Sequence, residues 1–286
     1  MLFADAADAT GKKQLDPFSH VRDDYGFHVF DNLHIELPYP ISKFLVILVL
    51  SAVIVALVML WVANKIRSGE PPRGRFWNMV EGALFFIRDK IARPSLGDHD
   101  ANKYVPFLAS LFLFIFLLNL FGMVPFLGSP TAHIYVTGAL AMVSFVIIHT
   151  SGIAENGLGA YLKTFVPHIE TESPFIKYPL MIGMAALEYL TAFIRAIILA
   201  VRLFANILAG HMALFIILFF IKLVADPAYQ IAIAEGQDWM YWPVSLFSVV
   251  LVLGLSLLEL FIAGLQAFIF TFLTAIFIGL AKHPPH

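Results

Sequence analysis

The chain has 286 residues, of which 60% are hydrophobic and 13% charged, with a net charge of -2, 28 Phe and no Cys; its mean hydropathy is +0.84. A charged fraction about half the globular norm of about 25% cannot clothe a soluble domain of this size. Composition therefore excludes a soluble globular protein, a disordered chain and a nucleic-acid binder, and leaves a polytopic membrane protein. The lack of Cys excludes disulfides, thiolate metal sites, Cys nucleophiles and iron–sulfur clusters.

Residues 1–40 are polar, with acids at Asp5, Asp8, Asp16, Asp23, Asp24, Asp31 and Glu36, bases at Lys12, Lys13 and Arg22, and His20, His28 and His34. They lack the apolar core of a signal peptide and read as a solvated outer tail with scattered imidazoles. The first apolar run, 41–64, is long enough to span a bilayer. Residues 65–103 then carry Lys65, Arg67, Arg73, Arg75, Arg88, Lys90, Arg93 and Lys103. The positive-inside rule places that segment in the cytoplasm and the amino-terminal tail outside. Within it, Phe76–Ile87 is too short to span and is flanked by Arg75, Glu81, Arg88 and Asp89, the pattern of an interfacial amphipathic helix.

Two further spans are predicted within 104–150, over 104–127 and 134–150, joined at Gly128-Ser129-Pro130-Thr131, which has turn chemistry and no basic residue. Residues 151–177 read as a cytoplasmic loop. The next two apolar runs, 178–224 and 241–281, correspond to helices of about 70 Å and 62 Å, against a hydrocarbon core of about 30 Å. Each is either two vertical spans or one tilted helix. Neither run has a Pro, an Asx-Gly pair or a charged cluster near its middle, which favours long tilted helices. A neighbouring protein surface would offset the mismatch. The acidic connector 225–240 lacks Lys and Arg and reads as outer, which closes 178–281 into an antiparallel hairpin with its carboxyl end inside. The predicted fold class is all-α membrane protein: one amino-terminal span, an interfacial helix, two further spans and a long tilted helical hairpin.

Ionisable groups in hydrocarbon are costly and mark function by default. The hairpin carries Glu188, Arg195, Arg202, His211 and Glu259, with Asn206 and Gln266. A hairpin centred near Ala234 and Glu235 sets Arg202 level with Gln266 and His211 level with Glu259. Glu188, Arg195 and Arg202 recur at seven-residue spacing with Asn206 four further on, forming one stripe; His211 lies about half a turn away. Arg202 is a permanent cation and a poor proton carrier. It attracts a partner carboxylate and blocks straight-through leakage. His211 and Glu259 exchange protons near neutrality once their neighbours tune them, and Asn206 and Gln266 hold waters. Arg195 and Glu188 also fit a snorkelling role near the inner surface. Asn119 suits a helix–helix hydrogen bond and His149 an interfacial position. Ala192, Ala196, Ala200, Gly210, Gly264 and Ala267 permit close packing. No metal constellation or nucleophile motif is visible, so neither a cofactor nor catalysis by this chain is expected.

The stretch Ala200-Val201-Arg202-Leu203-Phe204-Ala205-Asn206-Ile207-Leu208-Ala209-Gly210-His211 strongly resembles the signature of subunit a of F-type rotary ATP synthases, bacterial type. The same holds for Gln266-Ala267-Phe268-Ile269-Phe270-Thr271-Phe272-Leu273, and Asn119-Leu120-Phe121-Gly122-Met123-Val124-Pro125 with Ser129-Pro130-Thr131-Ala132 is similar to the family's second-span pattern. The resemblance covers 75–283. It implies a non-catalytic stator proton channel beside a rotating ring of c subunits, held by b-type peripheral stalk and other synthase subunits in the lipid of the cell inner membrane. It further implies that Arg202 meets each ring carboxylate, that Asn206, His211, Glu259 and Gln266 line the outer half-channel, and that Glu188 lies near the inner one. Arg195, Asn119 and His133 are secondary candidates for the same path. The family commonly places an acid and a His at the positions of His211 and Glu259, so here the pair is exchanged. His133 stands where many bacterial relatives carry an acid. The alternative class is an independent secondary transporter, which predicts flux from the purified chain alone; the lack of an internal repeat counts against it. A purely structural anchor is disfavoured by the cost of Arg202.

Overall fold

The computed structural model describes residues 26–30, 33–36, 42–68, 74–124, 129–164, 174–225 and 241–283. The remainder of the predicted outer tail, most of the connector 225–240, and the side chains of His20, His28, His34 and His211 lie outside the described residues. Within the predicted outer tail a short hairpin is described. Strands β1 (Gly26–Phe30) and β2 (Leu33–Glu36) pair antiparallel, with His28 opposite His34. The aromatic and β-branched residues Phe27, Val29, Phe30 and Ile35 supply the strand propensity.

Five helices are long and apolar enough to cross a membrane, and the chain is an all-α membrane protein apart from that hairpin. Helix α1 (Lys43–Ser68) ends in Lys65 and Arg67. Helix α2 (Arg75–Phe86) covers the predicted amphipathic segment, with Trp77 and Val80 buried against Val62 of α1. The basic stretch beyond it is helical, with no loop between. A π-helical turn, Ile87–Ala92, leads directly into α3 (Arg93–Met123). Arg and Lys are good helix formers, and Pro94, which cannot donate to a regular i→i−4 bond, stands directly after the wider π turn. The break falls at Gly97, with φ 76° and ψ 168°, a backbone conformation closed to residues carrying a Cβ.

A 3₁₀ turn, Pro130–Ala132, precedes α4 (Ile134–Asn156), which runs six residues past the predicted span; the short α5 (Leu158–Thr164) follows within the expected loop. The two long apolar runs are single helices, α6 (Pro174–Ala225, 52 residues) and α7 (Tyr241–Lys282, 42 residues). The alternative of paired vertical spans is thereby excluded.

Helix α7 packs against α3, α4 and α6. One core cluster joins Phe44 and Ile47 of α1, Leu111, Ile115 and Leu118 of α3, Leu140 of α4, Leu199 and Leu203 of α6, and Ala267 and Phe270 of α7. A second packs the π turn and early α3 (Ile87, Ile91, Leu96, Leu108) against Ala275 and Ile278. The carboxyl end of α7 is pinned by charge. Lys282 Nζ lies 2.6 Å from Asp100 Oδ2 and 3.0 Å from Glu155 Oε2, with its side chain 2% exposed. Asn156 Nδ2 donates to the carbonyls of Ala281 and Lys282 at 3.2 and 3.1 Å, satisfying acceptors that the end of a helix leaves open. The lack of a side chain at Gly152 lets Tyr161 and the Ala281 carbonyl approach α4 there. These contacts fix α7 along its axis, and with it the polar residues it carries.

Candidate functional site

On α6, Leu199, Ala200, Leu203 and Ile207 form the buried face. Glu188, Arg195 and Arg202 are exposed and Asn206 is half-buried. At 100° per residue the polar stripe lies along one flank of that buried face. It is flanked in turn by exposed Ile194, Ile197, Ile198 and Val201. Arg202 thus sits at the edge of the packed core, on an apolar surface, and makes no ion pair or hydrogen bond among the described residues. Arg195 differs: its guanidinium carbon is 5.3 Å from the centre of the Phe277 ring on α7, a cation–π contact that ties the two helices together.

The α7 side of the site is buried. Glu259 is 7% and Gln266 4% exposed, on the same face as Ala263, Ala267 and Phe270, each 0% exposed. Spacings of four and seven residues keep these groups in one sector of the helix. Gln266 Nε2 is buried with no hydrogen-bond partner among the described residues. The antiparallel register is fixed at two levels. Arg195 meets Phe277, and Glu259 lies against the backbone of Gly210, where an added Cβ would come 3.0 Å from Oε1. Gly210 is adjacent to His211, so the level at which the sequence pairs His211 with Glu259 is the level at which the two helices touch. The small residue predicted for close packing is what admits the carboxylate.

The secondary candidates fall elsewhere. Asn119, 0% exposed, belongs to α3, and its Nδ2 donates to the Ala263 carbonyl of α7 at 3.3 Å. Thr131 Oγ1 donates to Asn119 Oδ1 at 3.1 Å and lies 3.2 Å from Ser129 Oγ. His133 precedes α4, with its ring centre 4.9 Å from that of Phe44. The His149 ring lies tilted against that of Phe145 with centres 4.0 Å apart, and its Nδ1 is 2.9 Å from the Phe145 carbonyl. Ser129 and Thr131 are polar residues that the sequence marks as turn formers; their burial comes from α3 and is not visible locally.

A family model described as ATP synthase A chain matches residues 45–279. The chain belongs to the ATP synthase A chain family. Among curated relatives named ATP synthase subunit a, that of Myxococcus xanthus is 35% identical over 251 residues, covering 87% of this chain and 75% of its own length. That of Chloroherpeton thalassium is 33% identical over 287 residues, covering 96% and 79%. That of Anaeromyxobacter dehalogenans is 38% identical over 208 residues, covering 73% of this chain and 49% of its own length; the chain spans about half of that relative. The subunit a signature around Arg202 therefore sits on α6, and that around Gln266 on α7, within one matched region.

Proposed function

We propose that this chain is the stator proton-channel subunit of a rotary ATP synthase, coupling proton-motive force to ATP synthesis without itself catalysing a reaction. The observation that carries the reading is Arg202: a permanent cation on the exposed apolar flank of a membrane-capable helix, unpaired among the described residues. In hydrocarbon such a charge needs a partner, and a ring carboxylate that arrives and leaves answers that need. The path follows from the chemistry of each group. A proton enters from outside past His211 and Glu259, with Asn206 and Gln266 holding water, and protonates a ring carboxylate. Once neutral, that carboxyl faces lipid at low cost. Close to the end of a turn it meets the inner half-channel near Glu188 and releases the proton as Arg202 stabilises the anion. Each charge moved is worth about 2.3 kcal/mol per 100 mV. The excess length of α6 and α7 suits helices tilted along a curved ring. Stalk and other synthase subunits hold the chain in the cell inner membrane, amino terminus outside and carboxyl terminus inside.

Because the chain lacks Cys, a single introduced thiol tests the ring contact cleanly. Ile198→Cys, on the exposed flank beside Arg202, is expected to form a disulfide with a ring subunit carrying a Cys one turn from its carboxylate, and the link should stop ATP-driven proton pumping. Leu203→Cys, 0% exposed, should not react. Absence of the Ile198→Cys link in intact synthase, or an equal link from Leu203→Cys, overturns the proposed docking face.

The contact at Gly210 yields a graded expectation. A methyl group there would stand 3.0 Å from Glu259 Oε1 and 3.3 Å from Cδ, so the carboxylate must give way by a few tenths of an ångström. A misplacement of about 1 Å can cost about 100-fold, and Gly210→Ala is expected to slow proton-driven synthesis by roughly 3- to 10-fold, with Gly210→Val slower again. Unchanged rates in both variants would remove Glu259 from the path.

A further inference from the structure

The buried polar chain linking the start of α4 to α7 is not used in the path above. Ser129, Thr131 and Asn119 are 1%, 0% and 0% exposed and lead to the Ala263 carbonyl. Resting on the proton path just proposed, we infer that Asn119 is a positioning residue, which sets the rotation at which α7 presents Glu259 and Gln266.

The direction of every hydrogen bond in this chain is forced. A backbone carbonyl only accepts, so Asn119 turns Nδ2 toward Ala263 and Oδ1 toward Thr131. Thr131 must then donate its single proton to Oδ1. Its oxygen is left to accept from Ser129 Oγ, 3.2 Å away. The amide has no equivalent flipped state, because a flip would set its oxygen against the Ala263 carbonyl oxygen, two acceptors with no proton between them. Gly122 makes room for this arrangement, since a Cβ there would lie 2.6 Å from Ser129 Oγ.

The anchored carbonyl is well placed. Ala263 follows Glu259 by four residues and precedes Gln266 by three, the spacings that keep helical residues on one face. A second bond on its carbonyl, beside the helical one, resists rotation of α7 in the sector that carries both polar side chains. The ion cluster at Lys282 fixes the helix end, nineteen residues from Ala263, and constrains rotation at that level less directly. Asn119 thus acts through Glu259 and Gln266 and need not touch the proton.

The test uses the assembled synthase in inverted membrane vesicles, with proton-driven ATP synthesis followed as a function of pH on the side from which protons enter. Asn119→Leu removes both bonds and is expected to lower the rate about 10- to 100-fold at parental abundance of complex. Asn119→Asp carries the decisive signature. Protonated, the new carboxyl donates to the Ala263 carbonyl and accepts from Thr131 as the amide does; ionised, it can no longer donate. Its rate should approach the parental one at acid pH and fall with a one-proton dependence as pH rises, a limb that the parent lacks. Thr131→Val, which takes away the donor to Asn119 Oδ1 and leaves that buried oxygen unsatisfied, should give an intermediate loss. The inference is overturned if the Asp variant follows the parental pH profile, or if the Val variant keeps the parental rate. These two variants decide the matter should the Leu variant fail to accumulate. Arg202→Ala separates the two levels of the argument. If it abolishes synthesis while the Asn119 variants behave as the parent does, positioning fails alone; if it retains synthesis, the proton path fails first.

Discussion

Arg202→Ala is expected to abolish proton-driven ATP synthesis while leaving the complex assembled. The two halves of that result have separate causes. The side chain is exposed and makes no hydrogen bond or ion pair with a described residue, so its removal strands no buried polar partner; substitutions of that kind usually change stability by less than about 0.5 kcal/mol. What it removes is a charge placed where charge is expensive, about 2.5–3.5 kcal/mol at mid-membrane on insertion scales. In the proposed path the guanidinium and a ring carboxylate offset each other's cost there, and losing about 2.7 kcal/mol of that offset corresponds to roughly 100-fold in rate. Arg202 also separates the two half-channels in the proposed path, so passive proton leak should rise as synthesis falls. Arg202→Lys should rescue poorly, because an ammonium is a compact point charge that can itself lose a proton. Coupled synthesis in Arg202→Ala vesicles at even a tenth of the parental rate would contradict the role assigned to the guanidinium.

The parts of this architecture that could be read in advance are those set by local chemistry. The lack of breakers in 178–224 and 241–281 anticipates two unbroken helices because Pro, Asx-Gly and charge clusters are what end a helix in lipid. The level of the hairpin follows from its connector, and the contacts of Gly210 with Glu259 and of Arg195 with Phe277 fall close to it. The stripe from Glu188 to Asn206 is legible from spacing alone, but its place on the flank of the buried face is not. That position depends on which side of α6 meets α4 and α7. In 65–103 the amphipathic helix is legible from its flanking charges, while the extent of helix beyond it is not: dense Lys and Arg signal the membrane side and are also good helix formers, so the sequence gives no end to the run before Gly97. The turn expected at Ser129 and Thr131 is there as the 3₁₀ turn Pro130–Ala132, but the burial of the two hydroxyls is not legible locally. Their hydroxyls suit a turn, and only the amide of Asn119 in α3 draws them into the interior.

Gly279→Ala should be among the most destabilising single-methyl changes in the chain. A Cβ at that position would fall on the Ser95 carbonyl oxygen of α3, with the Ser95 carbonyl carbon at 3.2 Å and Leu96 Cδ2 at 3.8 Å. The obstacle is backbone, so no rotamer change relieves it. Neither helix is free to retreat, because Ala275 and Ile278 on α7 are 0% exposed and packed with Ile91 and Leu108, and Lys282 is held by Asp100 and Glu155. Overpacking costs typically about 1–3 kcal/mol, and a backbone-on-backbone clash between two anchored helices belongs at the upper end. Gly138→Ala in α4 is the matched control: nothing lies within 4 Å of its Cβ, and Ala is the better helix former by about 1 kcal/mol. The abundance of assembled complex and its dissociation temperature should fall for Gly279→Ala and hold or rise for Gly138→Ala. Equal behaviour of the two would mean that α3 and α7 do not meet at this distance. In that case the buried face holding Glu259 and Gln266 would lack the rigid support that the proposed proton path and the proposed Asn119 anchor both require, since polar groups on a loosely held helix keep neither a fixed depth nor a fixed rotation.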